Sequence, residues 1–317
     1  MAETRLQFLH DLADFRDLID VTARAQSINP GLVEKDYWIM QGLWGLQQLG
    51  FQYELKGGTS LSKGFQLIHR FSEDIDILIH PEGALPIGPN HTKPVHIEAR
   101  RAFFDGLPGK MPIDGFVGAE RDHDFDDLKM RGAGIRLRYP TVNPLPEGVK
   151  DGILLEAGFD QVAPNRALTI SSWAYEQAIL SGVTNLIDNR AVGVACYEPG
   201  YTLVEKLQTI STKYRSFKAR GALPQNFLRH YYDVFCLLSD SSVRAFVGTQ
   251  AYLAHKKKRF PEADEKDLTR NPAFLLTDAD TRRTFETAYL STRALYYREQ
   301  PAFALIIERL QSRLSEL

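Results

Sequence analysis

The sequence predicts an α+β fold: a domain of mixed strands and helices with N-terminal helices over residues 1–200, then a helical C-terminal domain over 201–317. Three observations carry this. Segments of period two, such as Asp74-Ile75-Asp76-Ile77-Leu78-Ile79, stand among helical segments up to about residue 200. Beyond Tyr201 the apolar spacing is helical, with Leu203, Leu207, Ile210, Tyr214 and Phe217 on one stripe. A length of 317 residues, 44% of them hydrophobic, suits two domains of roughly 150 residues each.

Phe8, Leu12, Phe15 and Ile19 recur at helical spacing and predict a first helix. Asn29 before Pro30 reads as an N-cap and first-turn proline, opening a second helix through Val33, Tyr37, Met40 and Trp44 to about Gln48. The run FQYELK at 51–56 is a strand that ends at Gly57-Gly58, after which Thr59 caps a helix carrying Leu61, Phe65 and Ile68. Asp74–Ile79 is the next strand. Residues 80–94, rich in proline and glycine, form a surface loop, and a short helix follows over 95–104. GIRLRY at 134–139 and GILLEAGF at 152–159 are further strands. Helices are expected from Tyr201 and over 226–239, 241–254 and 282–297. No internal repeat is evident.

The two cysteines, Cys196 and Cys236, are too few and too far apart for a zinc cage or a disulfide framework, which suits a reducing compartment and makes cytoplasm the expectation. The opening residues MAETRLQFLHDLADF carry charge in every turn, and no apolar run approaches the roughly 20 residues of a membrane span, so neither export nor insertion is expected. With 38 Lys and Arg against 40 Asp and Glu, the net charge is -2, and any nucleic acid must be held by a local basic patch.

Chemistry concentrates in Lys56-Gly57-Gly58-Thr59-Ser60-Leu61-Ser62-Lys63 and Arg70-Phe71-Ser72-Glu73-Asp74-Ile75-Asp76. Glycines between a strand and a helix let the backbone approach phosphate oxygens, and the helix N-terminus offers N–H donors. Asp74 and Asp76, two apart on a strand, project to one side as hard oxygen ligands for one or two magnesium ions. Glu156, an acid within an apolar strand, is the candidate third metal ligand and an acceptor for the proton of an attacking hydroxyl. Each feature alone has an ordinary reading: a turn, a solvated strand face, a salt-bridge partner. The combination favours metal-assisted nucleotidyl transfer.

Other patterns do not sustain a site. In GGTSLSKG, Lys63 is preceded by Ser62 and followed by Gly64, so the Walker A pattern is not met. Asp122, Asp124 and Asp126 open like an EF-hand, but Asp127 replaces its glycine and Ala133 its glutamate, leaving a solvated loop. The eight histidines show no zinc spacing, and His230 reads as structural. Lys206, Lys213 and Arg220, seven apart, form either a phosphate-facing ridge or a solvated helix face; KKKR at 256–259 reads as a solvated turn.

GGTSLSK and RFSEDIDI, together with Glu34-Lys35-Asp36-Tyr37-Trp38, Tyr201-Thr202-Leu203-Val204-Glu205-Lys206-Leu207 and Arg229-His230-Tyr231-Tyr232-Asp233-Val234, resemble the AbiEii/AbiGii nucleotidyltransferase toxins. These are the toxic half of type IV toxin-antitoxin and phage-abortive systems. The resemblance touches most of residues 33–238 and implies a polymerase-beta-like nucleotidyltransferase domain, its mixed sheet flanked by helices. It implies that Asp74 and Asp76 bind Mg2+, and that Gly57, Gly58, Ser60, Lys63, Arg70 and Ser72 line the NTP, Ser72 beside the metal. Lys206 and Asp233 would be the downstream active-site pair, with Lys206 on the triphosphate. The activity implied is transfer of NMP from an NTP to RNA, in this family the tRNA 3' end, with a cognate antitoxin encoded nearby. A protein or small-molecule acceptor, or a non-catalytic nucleotide-binding module, remain the alternatives.

Overall fold

The computed structural model describes residues 5–159 and 164–317. Helix α1 (Phe15–Gln26) is followed by α2 (Pro30–Gln48), where the Asn29 side chain accepts the Gly31 N–H at 2.8 Å and Pro30 occupies the first turn. The first helix therefore starts seven residues later than the Phe8 spacing suggests. Phe8 instead precedes a single 3-10 turn, Leu9–Asp11, with its ring edge-on to Trp44 at 5.2 Å.

Strands β1 (Gln52–Lys56), β2 (Asp74–His80), β3 (Gly118–Asp122), β4 (Gly132–Arg138), β5 (Ile153–Gly158), β6 (Asn165–Ile170) and β7 (Ala191–Tyr197) form a mixed sheet in the order β3-β4-β5-β2-β1-β7-β6. The β2–β5 and β1–β7 pairs are parallel and the others antiparallel. Helix α2 covers one face: a Cβ on Gly42 would meet Ile75 at 3.3 Å and Leu137 at 3.6 Å, so the helix axis approaches closely because glycine stands there. Ile75, Ile77, Leu137 and Leu155 are fully buried on that side. By the alternation of a strand, Asp74 and Asp76 face the other way.

After β1 comes a single helical turn, α3 (Gly57–Thr59), which widens into a π-helical turn over Ser60–Gly64 and stops. The expected helix through Phe65 and Ile68 does not form. Its last residue, Gly64, sits where a Cβ would be 3.2 Å from both Cys196 and Leu168, and Gln66 takes φ +57°, which ends the helical path. The remaining helices of this region are α4 (Pro94–Gly106) and α5 (Trp173–Leu180). The loop between β2 and α4 is pinned: Arg100 donates to Pro86 O and His91 O, and Arg131 to Ile87 O and Gly88 O. The aspartates of 122–126 are not a free solvated loop either, since Asp122 pairs with Arg136 and Asp126 with Arg121.

The chain divides into two compact units, Met1–Gly64 with Phe71–Tyr197, and Phe65–Arg70 with Glu198–Leu317. The second contains α6 (Pro199–Arg220), α7 (Arg229–Leu237), α8 (Ser241–Phe246), α9 (Gln250–Arg259), α10 (Pro272–Leu275), α11 (Ala279–Leu290) and α12 (Phe303–Gln311). Leu203, Leu207 and Ile210 of α6 are buried as the stripe predicts, and Phe285 gathers the rings of Tyr214, Phe217, Phe227 and Tyr231. The single helix expected over 241–254 is two, because Gly248 at φ +77° turns the chain between α8 and α9. No described helix is long and apolar enough to cross a membrane.

Candidate active site

In the first unit the glycine turn and the aspartate strand are built as one piece. Gly57 has φ +74°, and a Cβ there would lie 2.0 Å from Asp76 Oδ2, so the carboxylate occupies the space a side chain would fill. Thr59 Oγ1 donates to the Asp74 carbonyl at 2.5 Å, lacing the turn to the first residue of β2. Lys56 is the antiparallel partner of Asp76, and Glu156 is its parallel partner on β5. Paired residues of adjacent strands share a face, so Lys56, Asp76 and Glu156 form a row, with Asp74 one step along. Asp74, Asp76, Glu156 and Ser72 are half-buried, whereas Gly58 and Ser60 are buried. The Ser60 side chain is buried and meets the Cys196 thiol.

Asp74 and Asp76 supply the hard oxygen donors that a divalent cation prefers, and the missing Cβ of Gly57 makes room for the Asp76 carboxylate. Among the described residues, no three His, Cys, Asp or Glu side chains are gathered closely enough to hold a metal, and Glu156 shares the face of the aspartates.

The Glu34–Trp38 segment of α2 explains how this piece is held, a role that spacing alone did not disclose. Glu34 accepts the backbone N–H groups of Val142 and Asn143, both at 2.8 Å. Lys35 donates to the Lys150 carbonyl, and its pKa is lowered by burial against the pull of Glu73 and Asp74. Asp36 is bound by Lys63 and by the Trp173 N–H. Tyr37 meets His10 at 2.7 Å, and Trp38 stacks on Tyr139. The available signal was charge inside an otherwise apolar helix, since buried charges need partners.

In the second unit, Arg70 grips Asp233 with two parallel bonds, Nε to Oδ1 and Nη2 to Oδ2, both 2.7 Å. Lys206 Nζ reaches the same carboxylate at 3.0 Å. Burial works against charge on Asp233, yet Arg70 and Lys206 outweigh it and hold the carboxyl well below the usual range. His230 lies 3.5 Å from Lys206; burial first, then Lys206 and Lys213, push its pKa well below 6.5, so it is neutral at pH 7. Residues 68–70 are held by the same unit, with Tyr232 Oη accepting the His69 N–H at 3.2 Å and Tyr297 Oη donating to Ile68 O at 2.9 Å. Lys206 is therefore turned inward onto Asp233, and Lys213 donates to Gln225 O, so the two do not stand as an open basic ridge with Arg220. In the KKKR segment, which ends α9, Arg259 pairs with Glu205 while Lys257 and Lys258 are exposed.

A mixed sheet with a glycine turn locked onto an aspartate strand, and a separate helical unit, is the arrangement of a nucleotidyltransferase. The family described as "Nucleotidyl transferase AbiEii toxin, Type IV TA system" matches residues 38–311, and the chain belongs to it. That match extends well past residue 238, where the quoted motifs stop. Among solved structures, MenT4, a nucleotidyltransferase toxin from Mycobacterium tuberculosis H37Rv, aligns at 16% identity and a TM-score of 0.57 over 95% of this chain and 90% of its own, which shows a shared fold. An antigenic nucleotidyltransferase-like protein from Paracoccidioides brasiliensis aligns at 14% identity over 86% of this chain and 97% of its own, at a TM-score of 0.33, too low to carry an argument. No curated protein matches the sequence.

Proposed function

We propose that this protein is a cytoplasmic, magnesium-dependent toxin that transfers NMP from an NTP to RNA, with the tRNA 3' end as acceptor. The observation that carries the reading is the Gly57–Asp76 fit, which builds a phosphate-approaching backbone and a hard-ligand carboxylate as one rigid piece. Asp74 and Asp76 would hold the ion, which when bound would make the acceptor hydroxyl more acidic and offset charge on the leaving pyrophosphate. The terminal hydroxyl oxygen forms a bond to the α-phosphorus as the α–β phosphoanhydride bond breaks. Pyrophosphate departs, and the hydroxyl proton passes to a carboxylate, with Glu156 in the same row as Asp76 as its acceptor. Gly57, Gly58, Ser60 and Ser72 would bound the nucleotide. A modified 3' end cannot be aminoacylated, so translation stops. Membership of a type IV toxin family supports a cognate antitoxin.

The test incubates the protein with magnesium, total tRNA and each of the four α-labelled NTPs in turn, beside Asp76→Ala and a control without RNA. Label on tRNA with wild type alone is expected. Label on protein without RNA would move the acceptor to a polypeptide, and NTP binding with no label anywhere would leave a non-catalytic module.

A further inference from the structure

Lys63 carries the one cation of the glycine turn, and in a phosphate-binding turn a lysine is ordinarily read as a phosphate ligand. Its surroundings indicate a different task. Lys63 Nζ lies 2.8 Å from Asp36 Oδ1 and 3.0 Å from Oδ2, and 4.4 Å from the centre of the Trp173 ring. Asp36 Oδ2 also accepts the Trp173 backbone N–H at 2.8 Å. Asp36 is 2% exposed and the Lys63 side chain 11%, so neither group faces open solvent. One ammonium thus joins three elements: the turn itself, helix α2 through Asp36, and the start of α5 through Trp173. Reaching for a phosphate would strip a buried carboxylate of its counter-charge. The turn needs such a tether, since Ser60–Gly64 is a π-helical turn, a strained form common at functional sites.

We infer that Lys63 is a positioning residue: with Asp36 it holds the glycine turn in its nucleotide-receiving shape and does not itself bind phosphate. This rests on the proposed nucleotide site, and it changes what a mutation should do. Removing one member of a buried ion pair strands the other, whereas replacing both by apolar groups of similar size removes the conflict. A phosphate ligand has no such escape, because its loss is not repaired by changing Asp36.

The experiment measures equilibrium binding of the four labelled NTPs, with magnesium, to wild type, Lys63→Met, Asp36→Leu and the double variant Lys63→Met/Asp36→Leu. Circular dichroism verifies folding. Each single variant is expected to bind at least about tenfold more weakly, and the double variant to recover to within about threefold of wild type. A double variant that folds but stays as weak as Lys63→Met overturns the inference and makes Lys63 a phosphate ligand. Single variants that bind as wild type does also overturn it. If the single variants do not fold, the double variant alone decides, and Asp36→Asn/Lys63→Gln serves in its place should the apolar pair not fold. A wild type that binds none of the four NTPs overturns the proposed function and this inference together, whereas binding by wild type without recovery overturns the inference alone.

Discussion

The two charged centres of this molecule treat their aspartates in opposite ways. Asp74 and Asp76 stand half-buried on one face of the sheet, with the missing Cβ of Gly57 beside Asp76. Asp233 is fully buried and already saturated by Arg70 and Lys206. A carboxylate meant for an exchangeable ligand has to keep lone pairs accessible, and one meant to orient cations has to be enclosed so that its field is not screened by water. In the proposed function the first centre receives the ligand, while the second holds its own cations already.

That contrast can be broken by substitution. Asp76→Ala should lower transfer by at least about a thousandfold while the midpoint of thermal unfolding stays near wild type, as activity and melting curves would show. Asp233→Asn should do the reverse in emphasis: with Arg70 and Lys206 left buried without their counter-charge, urea denaturation should show a loss of about 3–5 kcal/mol. Unchanged stability would mean that the cluster is not the structural anchor described.

Gly57→Ala sharpens the first centre. The backbone at φ +74° costs an L-residue about 1–2 kcal/mol, and the new Cβ must displace Asp76, so transfer should fall by about tenfold or more. Gly83→Ala, at φ +83° with open space around it, should show the same backbone cost without loss of transfer.

His230 offers a pH test of the second centre. Its folded-state pKa is depressed by burial, with Lys206, Lys213 and Arg70 acting in the same sense and Asp233 opposing. Its stabilising contribution is thus complete above pH 6.5 and is lost as pH falls below that value, because the unfolded chain takes up the proton first. Between pH 7 and 5 wild type should lose more stability than His230→Phe, by up to about 1.4 kcal/mol per pH unit, measured as urea unfolding at both values. The smallest effect is expected at the exposed pair: Lys257→Ala/Lys258→Ala should shift stability by no more than about 0.5 kcal/mol.

Much of the fold was legible because local rules and tertiary packing agree. Asn29-Pro30 starts α2 as capping chemistry requires, and the alternation of Asp74–Ile79 identifies β2 and its two faces. Agreement failed where packing overrode spacing. The segment after Thr59 has helical periodicity, yet its helix ends at Gly64 against Cys196 and Leu168, and residues 68–70 bond to Tyr232 and Tyr297. Strands β3, β6 and β7 were not singled out. β3 reads Gly-Ala-Glu-Arg-Asp and β6 carries charge and exposed positions, so neither has the apolar run that marks a strand. Both lie at sheet edges, where one neighbour suffices and polar residues are tolerated.

The sequence by itself determined the α+β class, the glycine turn, the shared side of Asp74 and Asp76, and the family, since each depends on residue type and spacing within a short stretch. Only the tertiary structure decided the partners of the charges. That Lys63 belongs to Asp36, that Arg70 and Lys206 share Asp233, and that Asp76 fills the missing side chain of Gly57 all join residues from different elements. A charge carries no local mark of its partner, because Coulomb attraction acts on distance in space, and that distance exists only once the chain has packed.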